Sequence, residues 1–175
     1  MRLLSHSLVL LFVLLSIGNQ LHARGVYQEP EAFLQETFSN AVPEPAMVWV
    51  TRTIRPTVEK ILGHKPNALR IRYWRKQART AWILEEIGKE KPITTGMVIS
   101  NGRIERVKVL AFRESRGWEV RHSFFTDQFK DAAIKPDHQL DKYIDGISGA
   151  TLSVRALRKL ARLALYLDQH VRNEQ

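Results

Sequence analysis

Seven consecutive residues, Asp145-Gly146-Ile147-Ser148-Gly149-Ala150-Thr151, carry the pattern in this chain best suited to chemistry. A segment with helical apolar spacing follows over residues 152–170, so the seven read as the lead-in to a long amphipathic helix. Ser148 is placed as its N-cap, because a serine hydroxyl accepts a backbone N–H of the first turn. Thr151 then falls at the third helical position. Helical side chains tilt toward the N-terminus. The Thr151 hydroxyl is therefore expected to face free amides and the positive end of the macrodipole, a setting that suits a phosphate. Gly149 and Ala150 leave room for a bulky group close to the backbone.

At 100° per residue, Leu152, Ala156, Leu160, Leu163 and Leu167 line one side of that helix, and Leu157, Ala161 and Ala164 widen it. Arg155, Arg158, Lys159 and Arg162 form the opposite stripe. Thr151 falls on the basic side, one turn before Arg155. Two readings of the stripe stand side by side. It is a solvated face, or Arg155 neutralises a phosphate held at Thr151.

The seven residues resemble the acceptor motif of FMN-binding domains that carry flavin covalently. Members of that family include the FMN-bearing subunits of the sodium-pumping NADH:quinone oxidoreductase and of the Rnf complex. The resemblance implies FMN joined to Thr151 through a phosphoester and installed by a dedicated flavin transferase. Asp145, Gly146, Ser148, Gly149 and Ala150 would complete the cofactor-binding motif. The likeness runs over roughly residues 85–168. It includes a hairpin at 96–112, the segment Phe112-Arg113-Glu114-Ser115 and the aromatic run Phe124-Phe125-Thr126-Asp127-Gln128-Phe129. Glu114 thereby joins the candidate cofactor residues. The family more often has Glu-Thr followed by Pro-Gly where this chain has Glu114-Ser115-Arg116-Gly117. Trp118, with Phe124 and Phe125, is a candidate to shelter the isoalloxazine ring, and core packing is the other use of aromatics in such a segment.

The elements that must position these residues read as α+β: a twisted antiparallel sheet flanked by helices, the last helix carrying the acceptor threonine at its start. Pro30 suits a first helical position, and a short apolar helical face follows it to Phe38. Pro43 and Pro45 break the pattern. A second helix is predicted over 53–62 and stops at Gly63. Strands are predicted at 68–74, 80–87, 96–100 and 103–112. Asn101-Gly102 joins the last two as a tight hairpin, since both turn residues must take positive φ.

The chain divides into a secretory signal at residues 1–23, helices and strands at 24–84, and the FMN-binding domain at 85–175. The signal is read from a charged start, an apolar run at 3–17 and a small residue at Ala23. That run is shorter than a spanning helix needs, although an uncleaved anchor is the alternative. The expected location is the periplasm or the extracytoplasmic face of the membrane.

The chain of 175 residues has net charge +9 and no cysteine. Without thiols there is no disulfide, no cysteine-ligated iron–sulfur centre and no Cys-x-x-Cys-His haem site. If the protein handles electrons, a bound organic cofactor must carry them. Export argues against nucleic acid as the partner of so basic a chain, and leaves anionic lipid, an acidic redox partner or a surface that is merely soluble. The histidines after the signal, His64, His122, His138 and His170, show no zinc-ligand spacing. The sequence favours an exported electron carrier serving redox donor and acceptor proteins or a quinone, some of them membrane-associated. Its alternatives are a flavin-dependent reductase with its own substrate site and a flavin-free basic module at the membrane surface.

Overall fold

The computed structural model describes residues 25–174. The proposed signal segment lies outside the described residues. Five antiparallel strands form one sheet in chain order: β1 (Pro45–Trp49), β2 (Arg70–Lys76), β3 (Arg79–Ile87), β4 (Pro92–Ser100) and β5 (Arg103–Phe112). Helices α1 (Pro30–Thr37), α2 (Arg55–Leu62), the single turn α3 (Ser123–Thr126) and α4 (Thr151–Asn173) surround it. The α+β class expected from the sequence is the one observed. Among the described residues, no helix is long and apolar enough to cross a membrane.

Two apolar clusters flank the sheet. The larger holds the inward face of α4, including Leu157, Leu160, Ala164 and Leu167, against Trp82, Leu84, Met97 and Ile99, with Val58 and Ile61 of α2. The smaller holds Phe33, Leu34 and Phe38 against Trp74, Ala81, Val98 and Leu110. Gly96 is explained by this second layer, because a Cβ there would stand 2.6 Å from the Phe33 ring. Asn101 and Gly102 take φ of 51° and 75°, as the hairpin requires. Gly63 ends α2 in the left-handed region at φ 76°, its N–H donating to the Glu59 carbonyl.

Three features differ from the sequence reading. The proline-containing stretch after α1 forms β1, an edge strand. Pro45 is its first residue, a position where no ladder hydrogen bond need be donated. Strand β4 begins at Pro92 rather than Gly96. Leu152, assigned to the apolar face of α4, is exposed, because the face buried at the helix start is that of Ala150, Ser153 and Val154.

The boundary between residues 84 and 85 falls inside β3, which pairs with β2 and with β4. Strand β2 pairs with β1 throughout Arg70–Trp74 but with β3 only from Tyr73 to Lys76. The two strands therefore part beyond Trp82. Two buried carboxylates pin the layers together. Asp168 of α4 accepts the Thr80 hydroxyl at 2.7 Å and meets Arg172 at 2.9 Å. Glu86 of β3 lies 3.0 Å from both His64 Nε2 and Lys159 Nζ.

Candidate functional site

Helix α4 starts later than the sequence suggests. Its N-cap is Ala150, with no side-chain cap, so Ser148 is not the capping residue. The physical reason is a tight turn that intervenes. The Ala150 N–H donates to the Ile147 carbonyl at 3.0 Å, and Gly149 takes φ 80°. That leaves Ser148 exposed in the turn. Thr151 is the first helical residue rather than the third. The first intrahelical bond runs from the Val154 N–H to the Ala150 carbonyl at 3.0 Å. The amides of Thr151, Leu152 and Ser153 thus precede the ladder without a capping side chain, and the helix dipole adds to them.

Around this start the motif residues divide by role. Asp145, Gly146, Ser148, Gly149 and Thr151 are exposed. A Cβ on Gly146 or Gly149 would meet nothing within 4 Å, so the space over both is open. Ala150 is buried instead. Its small side chain serves packing against Gly117 rather than room for a ligand. The Asp145 N–H donates to Gln128 Oε1 at 2.6 Å, and the Arg158 guanidinium donates to the Ile144 carbonyl, which together hold the lead-in.

Glu114 stands at the end of β5 and reaches the β3–β4 turn. Its Oε1 accepts the N–H groups of Lys89 at 2.5 Å, Glu90 at 2.7 Å and Lys91 at 3.0 Å. Burial alone would raise its pKa, but the three amide bonds outweigh that and hold the carboxyl below the usual carboxylate range. Gly88 has no side chain for the same reason, since a Cβ there would stand 2.8 Å from Glu114 Oε1.

From Glu114 the chain passes through Gly117 at φ 86°, pressed on Ala150 and Ser153, into the 3₁₀ turn Trp118–Arg121. Trp118 is exposed and edges on His122 at 5.3 Å, and Arg121 lies 5.1 Å above its ring. Phe124, stacked on His122 at 6.2 Å, is also exposed. Phe125 is fully buried against Phe129, so it belongs to the core. Of the three aromatics expected to shelter a ring, Trp118 and Phe124 are therefore the exposed ones.

The basic stripe of α4 is not uniformly solvated. Lys159 meets Glu86, Arg162 donates to the Ile61 carbonyl at 3.0 Å, and Arg158 holds Ile144. Burial and the neighbouring Arg158 charge push the Arg162 pKa down. Arg155 alone of the four is exposed. It opens onto a cleft of about 370 Å³ shared with Arg158, Arg162, Lys142 and Tyr143. An anion entering from the Thr151 side meets positive charge there.

Residues 88–166 match the family model of the FMN-binding domain. The match runs from the β3–β4 turn into α4 and contains residues 145–151, Glu114 and Trp118. This segment belongs to the FMN-binding domain family, and FMN is its cofactor. No curated protein and no solved structure matches the chain.

The residues present suit that group: an exposed hydroxyl, uncapped amides, a free guanidinium and exposed aromatic surface occupy neighbouring parts of the fold. The packing of Gly117 on the helix start is invisible in the sequence. The one local hint is a glycine entering an aromatic turn.

Proposed function

We propose that the chain is an exported electron carrier whose FMN is tethered through a phosphoester to Thr151. The observation that carries this reading is an exposed threonine at the first position of an uncapped helix, within a segment of the FMN-binding family. In the tethering step, Thr151 Oγ1 forms the bond to phosphorus and gives up its proton. The donor's leaving group departs from the phosphorus with the bonding pair. A flavin transferase supplies that donor.

The bound FMN supplies one- and two-electron transfer. The chain's own residues hold and orient it. First-turn amides and the helix dipole stabilise the phosphate charge. Arg155 adds a cation one turn away. Trp118 and Phe124 offer faces for the ring. Tethering keeps the effective concentration high even where ring contacts are loose. That suits a carrier outside the cytoplasm, working between redox proteins or a quinone.

The intact mass of the exported protein, co-expressed with a flavin transferase, tests this. The expected result is added mass equal to FMN less one water, lost in Thr151→Ala. Denaturing-gel fluorescence that persists in Thr151→Ala would overturn the assignment of the acceptor. N-terminal sequencing of the same material tests export, with a start after Ala23 expected. A soluble cytoplasmic chain beginning at Met1 would overturn the setting.

A further inference from the structure

The sheet face opposite α4 is only partly covered. Helix α1 shields Ala81, Val98 and Leu110, whereas β1 and the start of β2 extend past it. There Trp49 lies across from Arg70, and Met47 across from Arg72. Directly opposed residues of an antiparallel pair point to the same face. Trp49 is 58 % exposed and Met47 41 %. Both arginines are exposed, and among the described residues neither has a carboxylate within ion-pair distance. Where β2 and β3 part, a groove of about 420 Å³ opens beside α1, lined by Leu34, Met47, Arg70, Arg72, Trp74 and Ile83. Glu31 is its one carboxylate.

Exposed tryptophan and methionine alternating with unpaired guanidiniums are poorly suited to water alone. Each half of the pattern has a match at a lipid surface. A tryptophan ring settles at headgroup level. A guanidinium takes two phosphate oxygens at once. An apolar groove accepts a stretch of acyl chain. The net charge of +9, to which the proposed signal contributes only Arg2, draws the molecule to a negative leaflet.

We propose that this β1–β2 face docks on an anionic lipid bilayer, Arg70 and Arg72 engaging headgroup phosphates while Trp49 and Met47 enter the headgroup–acyl boundary. The docking does not depend on flavin attachment. Since α4 packs on the opposite face, Thr151 is carried by the layer turned away from the bilayer, where a water-borne partner reaches it.

Trp49 reads the contact directly. The full exported chain is sedimented with vesicles of phosphatidylglycerol and phosphatidylcholine, and with phosphatidylcholine alone, some carrying brominated acyl chains. Preferential binding to the anionic vesicles is expected, with bromine quenching of a fluorescence component that Trp49→Phe removes. Arg70→Gln and Arg72→Gln should each weaken binding about fivefold. Lys135→Gln, in the loop whose His138 packs on Tyr166 of α4, should leave it unchanged.

Equal binding to both vesicle types, absence of Trp49 quenching, or indifference to both arginine substitutions overturns the proposal. So does inorganic phosphate that protects the two arginines from a guanidine-modifying reagent while vesicles do not. A dimer abolished by Trp49→Ser, without vesicle binding, would assign the face to a second copy instead.

Discussion

Gly117 and Ser153 are in such close approach that a Cβ on Gly117 would stand 2.6 Å from Ser153 Oγ. The same Cβ would stand 3.4 Å from that of Ala150. This contact joins the loop bearing Glu114 and Trp118 to the helix start bearing Thr151.

Gly117→Ala should therefore do two kinds of damage. An alanine at φ 86° is strained by about 1–2 kcal/mol, and the intrusion on Ser153 adds about 1–3 kcal/mol. Urea denaturation measures the sum, and flavin loading should fall with it. Unchanged stability would mean that the loop is not held by this contact.

Arg155 is expected to act on the attached cofactor rather than on the fold. It is exposed, so a charge-assisted bond to a phosphodiester is worth only ~0.3–1 kcal/mol. Flavinylation should raise the melting temperature more in the native protein than in Arg155→Gln, and high salt should erase the difference. Equal stabilisation at low salt would leave Arg155 a solvated residue.

Glu114 gives a pH signature. Its folded pKa lies below the ordinary value. Its stabilising contribution is therefore present above the ordinary carboxylate pKa and is lost as pH falls through the folded one. Glu114→Gln should cost about 1 kcal/mol near neutrality, because three amide donors lose a charged acceptor. The gap between the two proteins should close in acid. A gap constant with pH would contradict the role of the charge.

Asp168 runs the other way. Burial raises its pKa, and the bonds from Thr80 and Arg172 only partly offset this. The native state then holds the proton more tightly than the unfolded chain. Stability due to this group falls as pH rises from the ordinary carboxylate value through the raised one. Asp168→Asn should flatten that fall, measured by urea denaturation between about pH 4 and about pH 7. Asp168→Ala should cost about 1–3 kcal/mol, since it leaves the buried Thr80 hydroxyl without its acceptor.

By itself the sequence determined what is local in the chain. The Asn101-Gly102 hairpin, the Gly63 stop and the amphipathic α4 each depend on neighbours a few residues apart. Residues 145–151 are a contiguous string of the same kind. Tertiary structure decided what depends on residues distant in the chain. Glu114 closes a turn 23 to 25 residues earlier. Asp168 finds its partner 88 residues away, and Lys159 finds Glu86 across 73. Strand β1 exists because β2 offers it a ladder, a gain that the prolines around it hide from any local reading. Even the start of α4 was settled this way. Ser148 has the chemistry of a cap, but the turn at Gly149 and the burial of Ala150 against Gly117 move the helix start to Thr151. Periodicity and capping are short-range preferences of about 1 kcal/mol each, and packing on the core overrides them where the two disagree.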